Sequence, residues 1–288
     1  KTDGFLAYTT EISRTNFAGG FFQAGVSELS MACICIGMML HGGIITAIGT
    51  FFVFSDYMKP AIRMAALMEI PVKFIWSHDA FRVGEDGPTH EPVEQEAQIR
   101  LMEKLKNHHG KDSVRVLRPC DNQENTQCWK MAMENTDTPT ALIFSRQDVR
   151  DLPAGTDYTQ AQKGAFEVIK EAHPDVILVA NGSEVGTLCD TQQLLQKEGI
   201  KARVVSCPSE GLFRRQSKEY QDTLLPKNVK TFALTAGLPV TMEGLVGLQG
   251  RIHGLSSFGF SAPYKVLDEK LGFTPEHIYK EIVDFVKN

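Results

Sequence analysis

Glu28 is the only formally charged residue between Arg14 and Asp56, and it sits in the run GVSELSMACICIGMML. That run is apolar around the whole helical circumference, which predicts a buried helix. Two readings of the acid follow. Glu28 is a first-turn carboxylate favoured by the helix dipole, with Ser27 as cap. Alternatively, burial raises its pKa and suits it to share a proton with a ligand nitrogen. TFFVFSDY brings Phe51, Phe54 and Tyr57 to i, i+3, i+6 spacing, either a core stripe or a flat apolar wall for a heteroaromatic ring. In WSHDAFRVGEDGPTHEP, His78 lies where a strand should end, and Asp86 and His90 lie in a long loop beyond it. Imidazoles there can move protons or hydrogen-bond sugar hydroxyls near neutral pH. The plain alternative is a solvated loop turning at Asp86-Gly87-Pro88, and its length counts mildly against that. In FSRQD, Arg146 also follows a strand. A guanidinium there suits a phosphate, although one arginine is a weak signal. The glycine turn in ANGSEV, 180–185, carries too little to assign an anion site.

These residues need elements to position them. Apolar β-rich runs alternate with helical patterns, which predicts mostly parallel sheets flanked by helices. Strands are expected in 43–52, 71–77, 113–119, 139–145, 175–180, 201–208 and 229–234. Helices are expected in 54–69 despite Pro60, 92–105 opened by Pro92, 121–135 capped by Asp121, 183–199 and 275–288. In the last, Ile278, Ile282 and Val286 should face the core. The polar stretch 146–164, with Pro and Gly and no periodicity, reads as a link between domains. The expectation is therefore two doubly wound α/β domains, residues 1–150 and 164–288, joined by 151–163. In such sheets ligands bind at the carboxyl ends of the strands, where His78 and Arg146 fall.

Composition narrows the function classes. The chain has 288 residues, 42% hydrophobic and 23% charged, with net charge −5 and no basic cluster, which argues against nucleic acid and anionic membranes as partners. Six cysteines show no CxxC or metal-ligand spacing and read as reduced, buried thiols of a cytoplasmic protein. No signal peptide is recognisable, and Glu28, His41 and glycines interrupt the longest apolar region. Lys1 in place of Met reads as a fragment or a processed segment.

The pieces GVSELSM, LHGG, TFFVFSDY, RMAALM, SHD, GEDGPTHEPVEQ, LRPCD, PTALIFSRQ, NGSEV, KARVVSCPS and FGFSAP, in this order, resemble transketolase over nearly the whole chain. GEDGPTHEPVEQ is the specific signature. The resemblance implies the pyrimidine-binding and C-terminal domains of a thiamine-diphosphate, magnesium-dependent enzyme that moves a two-carbon ketol unit between phosphosugars. It implies that Glu28 bonds N1′ of the aminopyrimidine and so favours the tautomer whose 4′-nitrogen takes a proton. Phe51, Phe54 and Tyr57 would line that ring's pocket. His78 and His90 would contact substrate oxygens and assist proton transfer, Asp86 would bind a donor hydroxyl, and Arg146 a substrate phosphate.

Departures from the family pattern set further expectations. The diphosphate- and metal-binding signature, GDG followed by paired asparagines, is absent from these residues, so no metal ligand is assigned here. Those ligands are expected in an N-terminal domain or a separate subunit, with the chain alone inactive and the active site at a homodimer interface. Thr235 and Phe260 stand where relatives often carry acids. The alternatives are a related thiamine enzyme, such as 1-deoxyxylulose-5-phosphate synthase or a 2-oxoacid dehydrogenase β subunit, whose histidine loops differ, or a non-catalytic partner subunit.

Overall fold

Strands with apolar residues at every position need cover on both faces, because successive side chains point to opposite sides. The computed structural model, which describes residues 9–288, shows how that need is met. The first sheet contains β1 (Ala47–Phe51), β2 (Lys73–Ser77), β3 (Arg115–Leu117) and β4 (Thr140–Ile143), in the order β1-β2-β4-β3 with every pair parallel. Phe74, Trp76, Ala141 and Ile143 face one side, towards α1 (Glu28–His41), α2 (Ser55–Leu67) and Ile99 of α3 (Gln95–Lys104). Ile75 and Leu142, one residue out of phase, face α4 (Asn122–Glu134) through Cys128 and Met131.

The second sheet contains β5 (Phe166–Ile169), β6 (Val176–Ala180), β7 (Ala202–Ser206), β8 (Lys230–Leu234) and β9 (Arg251–His253), in the order β5-β7-β6-β8-β9. Only β5 runs antiparallel to its neighbour. Leu178, Val204 and Phe232 face α5 (Glu184–Lys197) and the C-terminal helix Pro275–Lys287. Ile177, Val179, Val205 and Ala233 face Phe213, Leu224 and Met242 on the short segments that follow β7 and β8. Both units are thus doubly wound, as expected from the alternation. Among the described residues, no helix is long and apolar enough to cross a membrane.

Several local expectations change. α1 is not buried all round: Ala32 and Ile36 are covered, whereas Leu29, Ile34 and Leu40 are exposed, and so is Cys33. One stripe meets β1 and α2, and nothing in the described chain covers the other. Ser27 does not cap the helix, because its hydroxyl donates to the Ala24 carbonyl at 2.7 Å instead. Pro60 lies inside α2, past its first turn. Pro92 precedes α3, which starts at Gln95, rather than opening it. Asp121 does cap α4, accepting from the Glu124 N–H at 2.8 Å. The C-terminal helix buries Phe285 along with Ile278 and Ile282, with Val286 only partly covered. The stretch 146–164 is packed down: Leu152 and Ala161 are buried, and the Tyr158 hydroxyl donates to Asp121 at 2.5 Å.

The two sheets meet across a buried ionic seam. Arg118, 1% exposed, follows β3 and donates to Asp79 Oδ2 at 2.7 and 3.1 Å and to Asn181 Oδ1 at 2.5 Å. Its Nη1 also lies 2.7 Å from Glu184 Oε2. Arg82 donates to Glu184 at 2.8 Å and to Asp268 at 2.7 Å, and Arg100 pairs with Glu96 and Glu103. Burial opposes the charged form of Glu96, but the Arg118 and Arg100 guanidiniums hold its carboxyl below the usual range. Around Glu184 and Glu103 burial wins over the arginines and pushes the carboxyls up. The ANGSEV turn packs into this seam: Gly182 has φ +58°, and a Cβ there would come within 2.7 Å of the Arg118 guanidinium carbon. Arg118→Met should therefore cost about 3–5 kcal/mol in urea unfolding, because it leaves Asp79 buried without a cation and takes one of two guanidiniums from both Glu96 and Glu184. A loss under about 1 kcal/mol, typical of a surface pair, would refute the seam's structural role.

Candidate functional site

Phe51 and Ser77 stand side by side in register at the carboxyl ends of β1 and β2, the edge of an open α/β sheet where ligands bind. The next residue, His78, has φ +63°, a left-handed conformation that costs a non-glycine residue on the order of 1 kcal/mol. Its ring stacks on Phe51 with centroids 3.5 Å apart and planes at 21°. Beyond Phe51 the chain enters a 3₁₀ turn, Phe52–Phe54, before α2. Three residues per turn eclipse positions i and i+3, so Phe54 stacks with Phe51 at 6.1 Å and 10°, and Tyr57 with Phe54 at 6.0 Å and 26°. The aromatic triad therefore spans a strand end, a 3₁₀ turn and a helix rather than one helix. Phe52 is the core ring, packed on Trp76, whereas Phe51 and Phe54 are half-buried and Tyr57 is 64% exposed. The triad is therefore a partly exposed stack of rings rather than a stripe of the core. His90 meets it edge-on, 5.4 Å from Phe54 and 6.3 Å from Phe51.

Hydroxyls fix both imidazoles. His78 Nδ1 lies 2.8 Å from Ser77 Oγ, and His90 Nδ1 lies 2.8 Å from Thr89 Oγ1. The loop between them is folded by turns, with Gly87 N–H donating to the Gly84 carbonyl and His90 N–H to the Gly87 carbonyl. Arg82 anchors its base in the ionic seam. Segment 258–264 clamps its tip, where Ser261 Oγ donates to the Glu85 carbonyl at 2.6 Å, and a Cβ on Gly87 would come within 3.0 Å of Ser261 Cβ. Asp86 is exposed in this loop, and Arg146 is exposed just past β4, the strand beside β2. Glu28 is the half-buried first residue of α1, which packs on α2, the helix carrying Tyr57. The ring contacts join Phe51, Phe54, Tyr57, His78 and His90, and do not include Glu28, Asp86 or Arg146.

Glu91 was given no role by its sequence context. It is 2% exposed, and neither carboxylate oxygen has a well-formed hydrogen bond among the described residues. Its Oε2 abuts Gly259 so closely that a Cβ there would lie 1.7 Å away. Burial pushes its carboxyl up to about 7, with the Phe260 backbone N–H the one group easing it. A carboxyl whose folded pKa is raised favours the fold fully below its unfolded value of about 4.5, and that stabilisation is lost as pH rises to about 7. Glu91→Gln, which mimics the protonated form, should match the parent at pH 4.5 and exceed it by about 2 kcal/mol at pH 8 in urea unfolding. Equal stabilities at pH 8 would remove Glu91 as the titrating group.

Comparison with known proteins gives this geometry a family. Residues 6–151 match the model of the transketolase pyrimidine binding domain, and residues 164–274 that of the transketolase-like C-terminal domain. The chain is 42% identical to the transketolase of Halalkalibacterium halodurans over 281 residues, covering 96% of this chain and 41% of that one. It is 40% identical to the Bacillus subtilis transketolase, covering 94% and 40%. The transketolase structure from Leishmania mexicana superposes with a TM-score of 0.88 at 32% identity, over 98% of this chain and 40% of that one. A chain described as a split-gene transketolase in an inactive beta4 tetramer shares the fold, with a TM-score of 0.72 at 20% identity over 90% of its length. The chain thus spans about 40% of the curated relatives it matches, and on these matches it belongs to the transketolase family.

Proposed function

We propose that this chain supplies the aminopyrimidine and sugar-binding side of a thiamine-diphosphate- and magnesium-dependent transketolase, which passes a two-carbon ketol unit from a ketose phosphate to an aldose phosphate in the cytoplasmic pentose phosphate pathway. The observation that carries the reading is the half-exposed ring wall beneath two hydroxyl-fixed imidazoles at the carboxyl edge of a parallel sheet. Stacked rings with accessible faces fit a planar heteroaromatic ring. The bound cofactor supplies the nucleophilic carbon and the sink for electrons. The protein's part is to bind and orient. Phe51, Phe54 and Tyr57 set the plane of the pyrimidine and exclude water from it. Glu28 holds a proton at the ring nitrogen. His78 and His90 bond sugar oxygens and move protons, His90 through Nε2 because Thr89 engages Nδ1. Asp86 accepts from a donor hydroxyl, and Arg146 pairs with the phosphate.

Among the described residues no cluster of metal-ligating side chains adjoins the ring wall, and we assign the diphosphate and Mg²⁺ ligands to a further domain or subunit, with the split-gene protein of the same fold as precedent. Within the chain, residues 1–150 form the pyrimidine-binding unit, 151–163 the link and 164–288 the C-terminal unit. The exposed apolar side of α1, with neighbouring Ile44 and Ile45, is the face a second copy covers in a homodimer. In the assembly that contains the diphosphate-binding part, Glu28→Gln should lower kcat at least ~100-fold with an unchanged melting temperature. Undiminished turnover would refute the role of Glu28. Alone, the chain should show no ketol transfer from a ketose phosphate donor, and transfer by the purified chain would refute the division of labour.

A further inference from the structure

Away from the ring wall, three ligand-type side chains converge where the edge strand of the second sheet meets the C-terminal helix. His253 is the last residue of β9, and His277 and Glu281 lie one turn apart on Pro275–Lys287. Glu281 Oε1 is 3.1 Å from His253 Nδ1 and 3.2 Å from His277 Nε2, and Oε2 is 3.2 Å from His253 Nδ1. All three ligand atoms lie within 4.8 Å of one another. A tetrahedral Zn²⁺, with bonds of about 2.0–2.1 Å, holds neighbouring donors roughly 3.3 Å apart.

The proton count points the same way. His253 Nε2 lies 3.1 Å from the Leu271 carbonyl, which can only accept, so Nε2 carries the proton. In the neutral ring Nδ1 then presents a lone pair to a carboxylate, an arrangement that a cation between them would satisfy. A ligating imidazole characteristically donates its other N–H to a carbonyl or carboxylate, as here. The site is also held in place. Phe273 packs edge-on to His253 at 4.7 Å, and Gly272, at φ +79°, lies so close that a Cβ would be 2.8 Å from His277 Nε2 and 3.1 Å from His253 Cε1. The nearby Arg251 guanidinium is engaged at 2.8 Å by Asp284 rather than by the Glu281 carboxylate.

We propose that His253, His277 and Glu281 bind a divalent transition-metal ion of the zinc class, with water or an outside ligand in the remaining position. The ion pins β9 to the C-terminal helix. It stabilises the fold in proportion to its binding.

The test titrates the full chain, stripped with chelator, with Zn²⁺ and with Co²⁺, alongside the His277→Ala and Glu281→Gln variants. The parent should take up one Zn²⁺ per chain with a rise in melting temperature. Each variant should bind at least tenfold more weakly and lose that rise, while circular dichroism confirms that it is folded. Co²⁺ should give visible d–d bands without thiolate charge transfer. No uptake by the parent, or equal uptake by both variants, would overturn the site and leave an imidazolium–carboxylate ion pair. A thiolate band would place the metal on Cys33, the exposed thiol, and would overturn it equally.

Discussion

A guanidinium sealed from water must find its counter-charges inside the protein, and Arg118 does so by drawing both sheets onto itself. It leaves β3 of the first sheet, reaches Asp79 directly after His78, and meets Asn181 and Glu184 where β6 gives way to α5. Asn181 in turn donates to Glu96 of α3 at 2.8 Å, so the polar groups form one connected cluster. The residue that ends the site's central strand is therefore placed by the same contacts that orient the two units. Gly182 belongs to this constraint too, because its missing side chain makes room for the guanidinium.

The site takes its shape from both halves of the chain. The ring wall belongs to the first sheet and follows from register, since Phe51 opposite Ser77 brings the His78 ring over a phenyl face. The histidine loop is held from the other half, by Ser261 at its tip and by Gly259 against Glu91. Arg82 ties its base to Glu184 and Asp268. With three anchors of different chemistry, this loop can be long and still present His90 at a defined angle to the wall. Glu91 is the one costly member, a carboxyl buried without a cation, and it couples the loop's packing to pH near neutrality.

The outer side of α1 is the counterpart of this ordered interior. Leu29, Ile34 and Leu40 face outward although their sequence is that of a core helix. Exposed apolar surface of this kind is characteristic of faces that meet a partner, and Glu28 sits at its amino-terminal end. A carboxyl half-buried in the single chain would become enclosed once that face is covered.

The alternation of apolar strands and helices specified most of the architecture, because each parallel strand must be apolar on both faces and each helix on one. Asp121 as a cap and the strand-end positions of His78 and Arg146 were legible for the same local reasons, whereas Phe51, read at helical spacing, proved to end a strand. The antiparallel β5 and the short β9 escaped notice, being brief segments whose pairing is set by partners far along the chain. Whether Phe51, Phe54 and Tyr57 form core or wall could not be read from spacing, because burial depends on what lies above them. The quiet position in the loop, Glu91, was undecidable from its neighbours, since the backbone that covers it comes from Gly259 and Phe260. The amino-acid sequence thus determined most of the elements that form and that His78 and Arg146 stand at strand ends, both consequences of short-range periodicity. Tertiary structure alone decided which polar groups are sealed together, because burial and charge pairing are properties of residues that meet only after folding.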